Sequence, residues 1–232
     1  MPVCAVLFDV DFTIAKPGPD LGPEGYRRLG QRFGLDLDPA RYGDARAHAV
    51  STLERHPELD HDEQVWVVFT EQIIRGMGGN SDRAYGNSDR AYECAVEMTR
   101  AWEHAHNFQL FEDVLPVLME LREHRLKLGL VSNTGRNLSE FVRHHGLDVD
   151  AAVSSGTHGK TKPHPTIFQA ALASLGVEPA EAVMVGDSID DDVEGAEAVG
   201  MRGLLLDREN RYPEVAEKLT DLRALPAALG LN

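Results

Sequence analysis

Short apolar runs recur along the chain, and each ends in polar residues. Residues 3–8 form such a run and lead directly into Asp9 and Asp11. A run of this length with polar boundaries predicts a buried strand of a parallel sheet. Comparable runs predict four further strands, at 126–131, 151–153, 182–185 and 203–206.

Helical patterns separate these runs from residue 113 onward. Asp113 is predicted to cap a helix whose apolar face includes Leu115, Leu118 and Leu121. Pro165 suits the first turn of another helix. Glycines are predicted to end three later helices, at Gly146, Gly176 and Gly200, and the last of these helices is predicted over 193–199. The alternation of strand and helix predicts an α/β fold, with a Rossmann-like parallel sheet and right-handed crossovers.

A different pattern separates the first strand from this alternation. The Pro/Gly-rich segment 16–23 breaks regular structure, and apolar spacing in 24–105 is helical, with Tyr26, Leu29 and Phe33 on one face. We therefore predict an α/β core of residues 1–15 plus 110–232 and an inserted α-helical domain of residues 16–109.

The insertion contains a seven-residue tandem repeat, in which residues 79–85 recur as 86–92. Two copies are too few for a solenoid. The repeat is consistent with a surface loop, or with a loop that presents Arg83 or Arg90 to an active site.

Composition narrows the class of protein. The 232 residues include 38 acidic and 23 basic residues, a net charge of −15, and 42% are hydrophobic. This balance argues against nucleic acid as a partner, and an anionic substrate would need a local positive charge. Two cysteines give no disulfide framework, and neither a signal segment nor a bilayer-length apolar run is present, so we expect a cytoplasmic protein without membrane contact.

Polar residues follow several of the predicted strands. They are Asp9 with Asp11, Ser132 with Asn133, Lys162 from a loop, and Asp187. Carboxyl ends of parallel strands share one edge, which is where such sheets bind ligands. Carboxylates suit Mg²⁺, whereas a hydroxyl, an ammonium and loop amides suit a phosphate. The combination predicts phosphoryl transfer, in which a carboxylate can serve as nucleophile.

These residues fall into motifs that resemble the haloacid dehalogenase (HAD) superfamily of aspartate-nucleophile phosphohydrolases. D-x-D-x-T matches residues 9–13, the strand-end Ser or Thr matches Ser132, and the lysine before proline matches Lys162. The pattern G-D-S followed by D-V-x-G-A matches 186–188 and 192–196. All four occur in the family's order, and the resemblance covers about residues 1–14 and 110–206.

The resemblance implies roles for three aspartates. Asp9 would be the nucleophile and a metal ligand. Asp11 would be the general acid and then the general base, and its backbone carbonyl would bind the metal. Asp187 would complete the protein ligands of a Mg²⁺ ion.

The resemblance also implies a set of phosphate-binding residues: Thr13, Ser132, Asn133 and Lys162. Asp192 would support the fourth loop. Neighbouring residues leave alternatives open, because Lys160 could replace Lys162, and Asp190 or Asp191 could replace Asp192.

The chain departs from the family pattern in two places. Phe12 stands where a glycine is frequent, and residues 157–159 lack an acidic residue that many relatives carry. The first departure would narrow the site without removing a catalytic group. The second leaves the support of Lys162 in question.

The helical insertion resembles a C1-type cap, with hinges predicted in 17–23 and 108–112. Asp11 favours phosphate esters over dehalogenation, and residues 17–126 contain no lysine for the Schiff base of a phosphonatase. The expected activity is Mg²⁺-dependent hydrolysis of a small phosphorylated metabolite through an aspartyl-phosphate. A phosphomutase of the same superfamily is an alternative, and a receiver-like or non-catalytic phosphate-binding domain is another. The sequence identifies neither the ester nor the oligomeric state.

Overall fold

A computed structural model of the protein describes residues 2–79 and 89–231. The chain divides into two compact units. One consists of Met1–Lys16, Leu59–His61 and Gln109–Asn232, and the other of Pro17–Glu58 and Asp62–Phe108. Within the described ranges, no helix combines the length and apolarity needed to cross a bilayer.

Strands and helices alternate through most of the larger unit. The described strands are β1 (Ala5–Phe8), β2 (Ala15–Pro17), β3 (Phe108–Leu110), β4 (Lys127–Ser132), β5 (Ala151–Ser154), β6 (Ala182–Gly186) and β7 (Arg202–Leu205). The described helices are α1 (Pro23–Arg32), α2 (Tyr42–Ser51), α3 (Glu63–Gly76), α4 (Arg90–Trp102), α5 (Val114–Glu123), α6 (Leu138–His145), α7 (Ser155–His158), α8 (Pro165–Leu175), α9 (Gly195–Glu197) and α10 (Leu225–Ala228).

A five-stranded parallel sheet in the order β5-β4-β1-β6-β7 forms the centre of the larger unit. In its middle strand, Leu7 pairs with Gly129 on one side and Met184 on the other. Ala5 and Leu7 pack in a buried cluster with residues of α8, and Val6 and Phe8 are equally buried. The prediction of an α/β fold with a Rossmann-like parallel sheet is therefore confirmed.

The smaller unit contains α1 to α4, and α3 packs against both α2 and α4. Asp62 and Asp89 cap α3 and α4 through their carboxylates. β2 and β3, at the predicted hinges, pair as a two-stranded sheet. Most of the tandem repeat, including Arg83, lies outside the described residues, and Arg90 is exposed at the start of α4.

Several details of the predicted elements were wrong. The first strand begins only at Ala5, and Leu115 is 44% exposed, because Val114, Val117, Leu118 and Leu121 form the buried face of α5. The carboxylate of Asp113 makes no cap for α5, since it accepts hydrogen bonds from Arg208 and from the backbone of Leu222. The helix predicted over 193–199 is instead a π-helical segment, Ile189–Glu194, followed by α9.

Candidate active site

A buried ion-pair cluster lies at the carboxyl end of β1. Asp9 directly follows this strand and donates its backbone N–H to Val185 of β6, which fixes it beside the neighbouring strand end. Lys162 Nζ lies 2.6 Å from Asp9 Oδ1 and 2.6 Å from Asp192 Oδ1. Asp9, Lys162 and Asp192 are 6%, 2% and 1% exposed, respectively. Two carboxylates thus share one ammonium with almost no solvent.

Asp192 connects the lysine to the loop after β6. Its Oδ2 accepts a hydrogen bond from the backbone N–H of Ser188 at 3.1 Å, while Oδ1 binds Lys162. Gly186 makes this close approach possible, because a Cβ there would lie 2.1 Å from Asp192 Cγ. Asp192 therefore supports Lys162 directly, which answers the question raised by the absence of an acid in 157–159.

The neighbours that were alternatives lie elsewhere. Lys160 pairs with Asp60 at 2.7 Å, and the exposed Asp190 and the half-buried Asp191 are absent from the cluster around Lys162. Of these charged residues, only Lys162 and Asp192 lie beside Asp9.

Asp187 extends the acidic cluster. One carboxylate oxygen from each of Asp9, Asp187 and Asp192 lies within 4.8 Å of the others. Burial raises the pKa of Asp9 well above its ordinary value, although Lys162 opposes this effect. Burial, and then the charge of Asp192, raise the pKa of Asp187 to about 6. Burial alone would lower the pKa of Lys162, but Asp192 and Asp9 outweigh it and raise that pKa.

The donor set fits a hard divalent cation. Three carboxylates crowd one small volume, and burial together with their mutual repulsion disfavours the ionised forms of Asp9 and Asp187. Mg²⁺ prefers oxygen ligands and few protein carboxylates. Arg211 provides part of the positive charge at this point, since its Nη2 contacts Asp187 Oδ2 at 2.6 Å and the Asp187 carbonyl oxygen at 2.7 Å.

Asp11 lies next to a different cation. Arg136 Nη1 and Nη2 contact its two carboxylate oxygens at 3.0 Å and 3.2 Å, a bidentate pair. Arg136 is 1% exposed, whereas the side chain of Asp11 is 22% exposed. The carboxylate of Asp11 is therefore separate from the Asp9, Asp187 and Asp192 cluster, which leaves its backbone carbonyl as the group predicted to bind a metal.

The remaining predicted residues lie at the end of β4, directly after it, and in the loop that follows Asp11. Ser132 ends β4 and is 1% exposed. Thr13 is fully buried, and its Oγ1 has no hydrogen-bond partner among the described residues. The Asn133 side chain accepts the backbone N–H of Lys162 at 2.6 Å and donates to the Lys162 carbonyl at 3.1 Å. Asn133 thereby holds the loop that carries the lysine.

Phe12, the departure from the usual glycine, has a φ of +66°. This left-handed conformation favours glycine and is unfavourable for a bulky side chain. The backbone turn that a glycine would permit is therefore present here with a phenylalanine.

Sequence reasoning missed three arginines near the site: Arg136, Arg208 and Arg211. Arg208 donates to the Thr13 carbonyl oxygen at 2.9 Å and 3.1 Å, so it holds the loop after Asp11. A usable signal existed for Arg136, because it is the only cation in the loop that follows Ser132. Arg208 and Arg211 follow the last strand, where no motif of the family was recognised.

Comparisons with known proteins identify a family and relatives for most of the chain. The family model described as haloacid dehalogenase-like hydrolase matches residues 4–200. A glyceraldehyde 3-phosphate phosphatase from Methanopyrus kandleri is 30% identical over 231 residues, which cover 94% of this chain and 89% of that protein.

Two solved structures have the same fold. A HAD phosphatase from Thermococcus onnurineus is 30% identical, with a TM-score of 0.65 over 99% of this chain and 98% of that one. The HAD-hydrolase YfnB from Bacillus subtilis, solved with bound magnesium, is 18% identical and has a TM-score of 0.73, over 99% of this chain and 100% of that one. At that identity, the YfnB comparison supports the fold alone.

Proposed function

The chain belongs to the haloacid dehalogenase-like hydrolase family, and on that premise we propose that it is a Mg²⁺-dependent phosphatase acting on a small phosphomonoester through a phosphorylated Asp9. The observation that carries this proposal is the buried contact of Asp9 with Lys162, in one cluster with Asp187 and Asp192. The relative from Methanopyrus kandleri is named a glyceraldehyde 3-phosphate phosphatase, which supports a phosphomonoester as the substrate.

Asp9 is the proposed nucleophile. A carboxylate oxygen of Asp9 attacks phosphorus, the bond to the ester oxygen breaks, and an aspartyl-phosphate forms. Lys162 offsets the negative charge of both Asp9 and the phosphoryl group, and Asp192 keeps the ammonium in place. Because phosphoryl transfer depends mainly on positioning and charge stabilisation, a rigid buried lysine is well suited to this task.

The residues that would hold Mg²⁺ are Asp9, Asp187 and the backbone carbonyl of Asp11. When bound, the ion supplies positive charge that lets the phosphate approach three neighbouring carboxylates. Asp192 remains with Lys162 in this assignment, because its two oxygens already accept hydrogen bonds from Lys162 and Ser188.

Asp11 is the proposed proton-transfer group. In its protonated form, Asp11 donates its proton to the leaving ester oxygen, and the carboxylate that results accepts a proton from the water that attacks the aspartyl-phosphate. Phosphate leaves and Asp9 is regenerated. The 22% exposure of the Asp11 side chain leaves one side of it open to a substrate or a water molecule.

The phosphoryl oxygens would be bound by Ser132, Thr13, Asn133 and Lys162. The unpartnered Oγ1 of Thr13 supports this assignment, because a buried hydroxyl without a partner is costly and an oxyanion would satisfy it. The side chain of Asn133 is already engaged with Lys162, so its contribution to phosphate would come from the backbone N–H.

The helical insertion, predicted to cover 16–109, is the proposed cap. It would close over the substrate, exclude water and select the leaving group. Its four described helices contain no lysine, so it would recognise the organic part of the substrate without Schiff-base chemistry.

The proposal is tested with the purified full chain, Mg²⁺ and a panel of phosphomonoesters that includes p-nitrophenyl phosphate. We expect release of inorganic phosphate, and a hydroxylamine-sensitive phosphoenzyme in acid-quenched samples. Asp9→Asn should lower turnover by about 10⁴-fold or more, because it removes the nucleophile. The matched control is Asp44→Asn, an exposed position in α2, which should retain full activity. Equal turnover in wild type and Asp9→Asn would refute the nucleophile.

A further inference from the structure

Arg136 has no role in the proposed chemistry, yet it is the largest fully buried side chain described. It lies in the loop between β4 and α6, where its backbone N–H bonds to Thr134 Oγ1 at 3.1 Å. Its guanidinium lies over the ring of Phe141, 5.4 Å from the centroid. These contacts fix the guanidinium before any contribution from Asp11 is considered.

The pair between Arg136 and Asp11 fixes the position and plane of a carboxylate. Two N–H···O contacts of 3.0 Å and 3.2 Å define the plane of Asp11, as a single lysine contact would not. A carboxylate has about four lone-pair directions, of which a bidentate arginine uses two, and one of the other two can hold the proton that Asp11 donates. The Asp11 side chain is 22% exposed, so a substrate or a water molecule can reach it.

Stability alone is a weak explanation for this pair. Burying an arginine costs hydration free energy, and well-packed apolar residues often serve a fold as well as a buried ion pair does. The pair joins the end of β4 to the Asp11 loop across 125 residues of sequence. The same loop after β4 also carries Asn133, which holds the Lys162 backbone.

We infer that Arg136 is a positioning residue for proton transfer: it holds the Asp11 carboxylate where it can reach the leaving oxygen of the ester. Arg136 itself contacts neither substrate nor metal in this role. The loop after β4 then orients two functional groups, because Asn133 positions Lys162 and Arg136 positions Asp11. This inference rests on the proposed function, since it assigns the proton to Asp11.

The decisive readout is the dependence on leaving group. Proton donation matters for an alkyl phosphate, whose alkoxide leaves poorly, and little for p-nitrophenyl phosphate, whose phenolate leaves readily. In rapid-quench single turnovers with Mg²⁺, Arg136→Gln should slow phosphoenzyme formation from an alkyl phosphate about 10- to 100-fold, the scale expected when a catalytic group is misplaced. Formation from p-nitrophenyl phosphate should change by less than about threefold.

A double-mutant cycle separates positioning from a general structural role. In an Asp11→Asn background, Arg136→Gln should cause little further loss with either ester, because the residue that it positions is already disabled. Arg122→Gln is the matched control, since Arg122 also pairs with two aspartates, Asp148 and Asp150. Any loss of rate that Arg122→Gln causes relative to wild type should be the same for the alkyl phosphate and for p-nitrophenyl phosphate.

Two outcomes would overturn the inference. One is an equal loss with both esters for Arg136→Gln, and the other is a full, additive loss in the Asp11→Asn background. If Arg136→Gln does not fold, Arg136→Lys decides by the same two criteria, because it keeps the charge but loses the bidentate contact. Failure of the proposed function is recognised separately, as activity retained by Asp9→Asn.

Discussion

At the scale of single residues, Gly186 sets how closely two loops can approach. Its missing side chain lets Asp192 lie against the end of β6, where the aspartate bonds to both Ser188 and Lys162. Close packing against Asp192 therefore requires a glycine at this position of the G-D-S motif, independently of the backbone angles.

Gly186→Ala should displace Asp192, because the new Cβ would lie 2.1 Å from the carboxylate carbon. Lys162 would lose one of its two carboxylate partners, and we expect turnover to fall about 10-fold or more as the lysine loses its position. Steady-state kinetics and a crystal structure would measure both effects. Gly43→Ala is the control, since a Cβ there meets no atom within 4 Å. Unchanged turnover in Gly186→Ala would contradict this role of Asp192.

Residues near the site divide into those that a sequence reveals and those that it does not. The places of Asp9, Ser132 and Asp187 at strand ends were predictable, because each follows an apolar run that predicts a strand, Asp187 after one glycine. The partners of Asp11 and Asp187 were not, because an arginine reaches several ångströms from its backbone and its target depends on how loops fold. Arg136 and Asp11 are 125 positions apart, so no local pattern connects them.

At the scale of elements, the start of α5 is joined to the C-terminal segment through Asp113. Its oxygens accept two hydrogen bonds from Arg208, at 2.8 Å and 3.0 Å, and one from the backbone N–H of Leu222 at 2.8 Å. Arg208 in turn donates to the Thr13 carbonyl oxygen. One carboxylate thus connects three parts of the larger unit.

Asp113→Asn should destabilise the fold by about 3 kcal/mol, because it leaves a mostly buried arginine without its charged partner. Burial alone would raise the pKa of Asp113, but the hydrogen bonds from Arg208 and Leu222 lower it overall. A folded-state pKa below the unfolded value adds stability that is present above about pH 4 and lost as pH falls through the folded-state pKa. Denaturant unfolding would therefore show a smaller difference in free energy of unfolding between wild type and Asp113→Asn at pH 3 than at pH 7. A difference that stays constant would contradict this linkage.

Element boundaries were less predictable than element types. Each predicted strand of the core exists, because a short run of consecutive apolar residues suits a strand that is buried on both faces of a parallel sheet. The segment after Asp187 was misjudged, since three consecutive aspartates give no helical periodicity and the backbone there forms a π-helical segment, Ile189–Glu194. Leu115 was misassigned because α5 buries the neighbouring Val114 instead.

At the scale of the whole molecule, an acidic protein of net charge −15 concentrates carboxylates where it is proposed to bind an anion. Lys162 and Arg211 offset part of that charge. Burial, and then the charge of Asp192, raise the pKa of Asp187 to about 6. The raised pKa of Asp187 gives a direct test of metal binding, through the stability of the protein with and without Mg²⁺.

The stability of the metal-free protein should report on Asp187. The folded-state pKa of Asp187 lies above the unfolded value of about 3.9. The contribution of Asp187 to the free energy of unfolding is therefore complete below pH 4 and is lost as pH rises through about 6. Asp187→Asn should therefore be more stable than wild type at pH 7.5 without metal, by on the order of 1 kcal/mol, and closer to it at pH 5.

Adding Mg²⁺ at pH 7.5 should make wild type more stable than Asp187→Asn. The bound ion stabilises wild type, whereas the variant lacks one of the proposed ligands. Thermal unfolding with and without Mg²⁺ at both pH values measures these four differences. A variant that gains as much from Mg²⁺ as wild type does would remove Asp187 from the ligand set.

The three residues Leu59–His61 have a consequence for engineering. They group with the larger unit although they lie within the inserted stretch, so the chain passes between the units at 16–17, 58–59, 61–62 and 108–109. Their backbone supplies hydrogen-bond partners for the backbone of Thr161 and Gly159, which lie within three residues of Lys162. Exchanging the whole insertion for that of a relative would consequently also exchange a support of the lysine loop. Chimaeras intended to alter substrate choice alone should transplant 17–58 and 62–108 as two pieces and leave the tripeptide native.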